Sequence, residues 1–176
     1  MLQNIELCGF LAPTPIQAYT VPAALLGCNI VASAQTGELD RRFASNVYST
    51  HADRCLGSGK TAAYLVPILS SLLGKYKKLA AQRPDPTTFN ADIDRVRAEP
   101  LVLIVAPTRE LAIQIFGEAR RLCYRSMLRP CVAYGGAPSR AQREELQKGC
   151  DVLIATPGRL LDYMKRPDVL SLSRVR

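Results

Sequence analysis

With 176 residues, 48% of them hydrophobic, the chain has room for one domain with a substantial core and is not a disordered polymer. A formal charge of +8 and a pI near 9.4 point to a polyanionic partner. One histidine, and six cysteines without a close CxxC pair, leave almost no raw material for zinc sites or histidine-dependent nucleophilic triads.

The amino-terminal MLQNIELCGF lacks a basic region followed by a signal-type apolar core, and the apolar run Val21 to Ala34 is too short and interrupted to span a bilayer. A soluble intracellular protein is expected, with no membrane partner. The six cysteines (Cys8, Cys28, Cys55, Cys123, Cys131, Cys150) read as buried free thiols of a reducing compartment. Pro13-Thr14-Pro15-Ile16-Gln17 then leads into a helix ending near Gly27. Thr14 suits the N-cap, Pro15 the first helical position and Gln17 the third, a capping box. Gln17, fixed at that helix start, also has the donor and acceptor that would read the N6 and N7 edge of adenine. Both readings stand at this point.

The most informative stretch follows. Asn29-Ile30-Val31-Ala32-Ser33-Ala34 reads as a short buried strand entering Gln35-Thr36-Gly37, whereas Gly57-Ser58-Gly59-Lys60-Thr61 opens a helical pattern. Without Glu38 to Gly57 the two would join as Ala-Gln-Thr-Gly-Ser-Gly-Lys-Thr, a strand, glycine-rich loop and helix whose amides can wrap phosphates. Lys60 would then lie on the β and γ phosphates and Thr61 on Mg²⁺. As written, the glycine pattern fails, because Arg54 stands where its first glycine belongs. The intervening ELDRRFASNVYSTHADRCLG has neither helical nor strand period and reads as a disruptive loop. Its twenty residues are an in-frame length, and its ends back-translate to splice-like signals, so a retained intron is expected, with a surface insertion as the alternative.

A helix of about Lys60 to Tyr76 comes next, bent at Pro67, with Leu65, Ile68, Leu69, Leu72 and Leu73 at core spacing. Lys75 to Pro100 reads as a long surface connection with a short helix at Asp92 to Arg97. Three strand–helix units complete the chain. Leu101 to Ala106 precedes Pro107-Thr108-Arg109 and a helix to about Tyr124. Pro130 to Tyr134 precedes Gly135-Gly136 and a helix from about Ser139 to Lys148. Asp151 to Ala155 precedes Thr156-Pro157-Gly158-Arg159 and a helix to about Lys165. Apolar runs alternating with amphipathic helices predict an α/β fold, its largely parallel sheet covered on both faces, with ligands at the carboxyl ends of the strands. Each loop also has a plain explanation: Thr156-Pro157 as a helix cap, Gly135-Gly136 as a turn, Arg109 as half of an ion pair. Together they place arginines, glycines and helix N-termini along one rim, suited to the successive phosphates of a strand. Aromatics are 6% of the chain and none is expected in these loops, so base stacking should be minor.

Assembled, these motifs resemble the N-terminal RecA-like domain of a DEAD-box RNA helicase. Pro13 to Gln17 looks like the adenine-reading Q motif, Ala34 to Gly37 with Ser58 to Thr61 like motif I, and Pro107-Thr108-Arg109-Glu110-Leu111 like motif Ia. Tyr134-Gly135-Gly136 resembles the GG element and Thr156 to Arg159 motif Ib. The resemblance covers nearly everything outside Glu38 to Gly57. It implies that ATP and Mg²⁺ are held by Gln17, Ala34, Gln35, Thr36, Gly37, Ser58, Gly59, Lys60 and Thr61, with Thr61 on the metal. RNA would lie along Pro107, Thr108, Arg109, Gly135, Gly136, Thr156, Pro157, Gly158 and Arg159 through backbone contacts with little sequence preference. RVRAEPLVLIVAPTRELA is similar to the subgroup acting in translation initiation, which implies initiation factors as partners and a cytoplasmic, or also nuclear, location.

The sequence departs from the family pattern in what it does not contain: the aromatic that stacks on adenine would fall before Met1, and no Asp-Glu-Ala-Asp follows before Arg176. The expectation is a partial RecA-like domain over residues 1–176 from an RNA-dependent ATPase that unwinds short duplexes, inactive by itself. The alternative is a non-enzymatic RNA-binding fragment. Another P-loop nucleotidase is disfavoured by the PTREL and TPGR loops.

Overall fold

The computed structural model describes residues 1–34, 59–79 and 96–175, which fall into two compact units, Met1–Gly74 and Lys75–Arg176. Gln35, Thr36, Gly37, Ser58 and the whole segment Glu38 to Gly57 lie outside the described residues, as does most of the connection expected before Pro100.

In the first unit α1 (Leu2–Leu7) and α2 (Pro15–Leu25) precede the start of α3 (Lys60–Leu79). The helix α1 was not legible in advance, being six residues long and ended by Gly9 at a φ of 78°. The capping box that opens α2 forms as the sequence predicts, with Thr14 N donating to Gln17 Oε1 at 3.0 Å. Helix α3 runs unbroken through Pro67 and buries Ala62, Ala63, Leu65 and Leu69.

One expectation fails in this unit. Residues 29–34 form no strand: they make no ladder, Val31 is fully exposed and Ile30 is 38% exposed. An apolar run becomes a buried strand only where neighbours satisfy its amides and cover its faces, and no described segment pairs with this one.

The second unit is built on β1 (Val102–Val105), β2 (Pro130–Ala133) and β3 (Val152–Ala155), with α4 (Arg109–Leu122), α5 (Ser139–Gln147) and α6 (Pro157–Met164) after the strands in turn. The sheet is parallel in the order β1-β3-β2. Central β3 is buried along its length, which is why Val-Leu-Ile-Ala shows no polar alternation. Val152 is opposite both Val102 and Pro130, and Ala155 opposite both Val105 and Ala133, so all three strands end level. At the edges, β2 begins on a proline and β1 ends on half-exposed Val105.

The amino end of the sheet is clipped by Asp151, which is 1% exposed. Its side chain accepts from Arg129 N at 2.6 Å, its carbonyl accepts from Leu101 N and Val102 N, and its own N donates to Arg129 O. One residue thus ties the entries of β1 and β2 to β3. Asp151→Ala leaves the buried Arg129 amide without its acceptor and should destabilise the protein by about 1–3 kcal/mol, read as a lower urea midpoint at unchanged slope.

Candidate nucleotide and nucleic-acid sites

The nucleotide half-site belongs to the first unit. Gln17 is buried at the start of α2, and its amide is engaged in two directions, Oε1 accepting from Thr14 N and Nε2 donating to Gly59 O at 3.1 Å, with one N–H and one lone pair remaining. Gly59, just before α3, has a φ of 74°, and a Cβ there would lie 2.5 Å from Gln17 Nε2 and 2.7 Å from Thr14 Oγ1. Only glycine fits. Lys60 opens α3 and reaches back to donate through Nζ to Ala34 O at 2.7 Å. Residues preceding and following the segment Glu38 to Gly57 are therefore in direct contact. Thr61 follows on the first turn, half-buried.

Beside Gln17 lies a cavity of about 410 Å³, lined by Ile5, Phe10, Pro13, Val21, Ala62 and Val66 among others. An apolar hollow with one amide at its margin is the ordinary form of a site for a flat, partly polar ring. The described part of the loop also fits a phosphate group: a glycine without room for a side chain, a lysine, a hydroxyl and the open amides of a helix start. Gln35, Thr36, Gly37 and Ser58 lie outside the described residues.

The second unit assembles the rim. Ala106 N donates to Ala155 O and Thr156 N to Ala133 O, so the three loops leave the sheet at one level. Thr108 caps α4, its hydroxyl accepting from Leu111 N at 3.3 Å; Thr156 is the N-cap of α6, with Pro157 at its first turn. Gly136 takes a φ of 81°. Arg109 lies over the Tyr134 ring at 5.0 Å, in place of the acidic partner that was its plain explanation. Arg159 donates from Nε to Tyr134 O at 3.1 Å and from Nη2 to Ala137 O at 2.9 Å, so motif Ib braces the GG turn. Pro107, Gly135 and Gly158 stand on the same three loops.

One rim residue escaped the sequence reading and a second was assigned to the wrong element. Gln142 donates from Nε2 to Tyr134 O and accepts from Tyr134 N through Oε1, gripping the turn from α5. Its only signal was a glutamine on the first turns of an otherwise charged helix. Tyr134 itself corrects the expectation that no aromatic sits in these loops: β2 ends at Ala133, one residue earlier than expected, and Tyr134 belongs to the turn. Its ring is covered by Arg109 and so is not an open stacking platform.

The family model for DEAD/DEAH box helicases matches residues 51–176. The chain belongs to the DEAD/DEAH box helicase family. Its fold is similar to the solved structure of a hypothetical ATP-dependent RNA helicase from Sulfolobus tokodaii, with 29% identity and a TM-score of 0.63 over 96% of this chain. The chain spans 38% of that protein's chain. The α/β parallel sheet flanked by helices is thus the RecA-like architecture of a helicase. No described helix is long and apolar enough to cross a membrane, and no metal-binding cluster of His, Cys, Asp or Glu occurs among the described residues.

The brace predicts a local effect. In Arg159→Lys the single ammonium cannot replace two guanidinium bonds aimed at different carbonyls. Loss of about 1 kcal/mol should speed amide hydrogen exchange across residues 134–137 by about fivefold, with exchange in β3 unchanged.

Proposed function

We propose that the chain is the partial N-terminal RecA-like domain of an ATP-dependent RNA helicase, with ATP and Mg²⁺ as cofactors and RNA as substrate. The observation that carries this reading is the direct contact of the two loop halves, Lys60 Nζ on Ala34 O and Gln17 on Gly59. Lys60 would hold the β and γ phosphates, Thr61 the metal, and Gln17 the adenine edge beside the apolar cavity. Mg²⁺ there would neutralise charge developing on the transferred phosphate. The chain's own contribution is to bind and orient.

Twenty residues between Gly37 and Ser58 interrupt the succession of amides on which a phosphate cradle depends, so the chain as written binds ATP weakly or not at all. Turnover fails separately: the sequence contains no Asp-Glu-Ala-Asp, and phosphoryl transfer rests on positioning groups that these residues do not supply. The wording before motif Ia supports the translation-initiation subgroup, hence initiation factors as partners and a cytoplasmic or also nuclear location.

Deleting Glu38 to Gly57 should restore binding of labelled ATP, and Lys60→Ala in the shortened chain should remove it again. Equal affinity of the original and shortened chains would refute the split-loop reading.

A second reading has its own support. The rim of Arg109, Tyr134, Gly136 and Arg159 is assembled wholly within the unit Lys75–Arg176, so RNA binding without nucleotide chemistry is open to this fragment. In that case affinity for single-stranded RNA falls with salt and ignores ATP. Arg109→Ala should then flatten the log–log salt dependence by about 0.7, the value of one lost phosphate contact on a single strand. An unchanged slope would remove Arg109 from the RNA path.

A further inference from the structure

The far end of α4 carries a group of side chains that neither half-site uses. Between Glu118 and Glu144 the chain has no acidic residue, and the stretch Arg120 to Arg129 contains four arginines. Arg129 is paired with Glu145. Arg120 and Arg121 close the last turn of α4, and Tyr124, Arg125 and Met127 follow in the turn that leads to β2; all five are exposed, Tyr124 by 53% and Met127 by 62%. An arginine in the last turn of a helix suits the negative end of its dipole. That accounts for Arg120 and Arg121 and leaves the other three without a reason.

The turn is firmly built. Leu122, Cys123 and Leu128 are buried beneath it. Ser126 ties it across, its hydroxyl donating to Cys123 O at 2.7 Å and accepting from Leu128 N at 3.2 Å. Arg125 has a φ of 52° and is the one non-glycine residue at positive φ among the described residues. Glycine is at ease in that conformation and a side chain is not, so a cationic group is held where the backbone alone would favour none.

Two of the guanidinium groups rest over rings of their own chain, Arg125 over Tyr124 at 5.3 Å and Arg120 over Phe116 at 5.7 Å. Stacking uses the face of a guanidinium and leaves the N–H donors in its plane for an acceptor. Arg120, Arg121 and Arg125 make no ion pair with a described carboxylate, although Glu118, one turn earlier, acts on Arg121.

We propose that this turn docks an acidic protein segment in which carboxylates flank an apolar side chain. The carboxylates pair with Arg120, Arg121 and Arg125, and the apolar side chain lies on Tyr124 and Met127. Charge complementarity sets the sign of the partner, and the apolar pair favours a peptide over a nucleic-acid strand. A thioether has nothing to offer a phosphate, whereas it adapts to an apolar side chain. One face of the Tyr124 ring is already taken by Arg125, which narrows the platform on which a base could stack. The 14 residues of α4 put about 20 Å of helix between Arg109 at the rim and this turn, so a segment held here leaves the proposed RNA path open.

The test titrates the full chain into a fluorescent peptide of glutamates around a phenylalanine, read by anisotropy, with two control peptides: glutamine for glutamate, and serine for phenylalanine. Binding should weaken with salt, vanish for the glutamine peptide and be weaker for the serine peptide. Arg125→Gly removes the charge and relaxes the backbone, so the variant keeps the fold, and it should bind the peptide about fivefold more weakly, the upper range for one exposed ion pair. Met127→Ser should cost affinity for the phenylalanine peptide and not for the serine peptide. Arg109→Ala should bind all three as the unsubstituted chain does, and oligouridine should not displace the peptide. Equal affinity for the glutamate and glutamine peptides, or unchanged affinity in both Arg125→Gly and Met127→Ser, would overturn the docking site. Displacement of the peptide by oligouridine from the Arg109→Ala chain would overturn it too, making the turn a nucleic-acid contact.

Discussion

Everything in the second unit follows from β3 being paired on both sides at the same level. Parallel strands cannot be joined by a tight turn, so each must be followed by a crossover, and the helices α4 and α5 are those crossovers. Three parallel strands that end together release their loops on one side, which is how motifs far apart in sequence come to share Tyr134. The pairing is held by burial: Val152, Leu153 and Ile154 are wholly removed from water, each worth about 1.5–3 kcal/mol, and Asp151 fixes the entry of all three strands. A slip of one residue in the β2–β3 ladder would move Arg159 away from the carbonyls it bridges. Register is thus the link between the core and the rim.

In the first unit the corresponding constraint is a set of short polar bonds. Bringing together two points separated by twenty intervening residues costs about 2.5 kcal/mol, a sum that the ends must recover where they meet. Lys60 on Ala34 and Gln17 on Gly59 supply two such bonds, and Gly59 supplies the close approach that any other residue would block. The fold therefore has a reason to tolerate the insertion, whereas a phosphate cradle does not: it needs consecutive amides and not merely neighbouring ends.

Much of this was legible from the residues, and for physical reasons. Helices α2 to α6 announce themselves through caps and apolar spacing; Thr14 with Gln17 and Thr156 with Pro157 mark two starts correctly, since a helix start needs an acceptor for its free amides whatever the tertiary context. The strands β1 to β3 were legible because strands of a parallel sheet covered by helices read as short apolar runs. Residues 29–34 carry the same pattern yet form no strand, because an apolar run is silent about whether a partner is present. Gln142 was missed, and Tyr134 assigned to the strand, for a related reason. Their roles depend on a turn that exists only once β2 and α5 are in place, and no spacing rule reports a contact made by the fold.

The rim arginines show what that fold contributes. A free arginine that grips a phosphate must give up the mobility of a long side chain. Arg159 has already given it up: Nε and Nη2 are bound to carbonyls, leaving three of the five N–H donors of a guanidinium for another acceptor. Arg109 likewise rests over the Tyr134 ring. The ordering cost falls on folding and not on binding, so for the proposed RNA contact these two side chains act as prepositioned charges. The same economy ties them to the turn: a change that loosens Tyr134 removes the carbonyl that orients Arg159 and the ring that supports Arg109 together, and the rim should lose its grip as a unit.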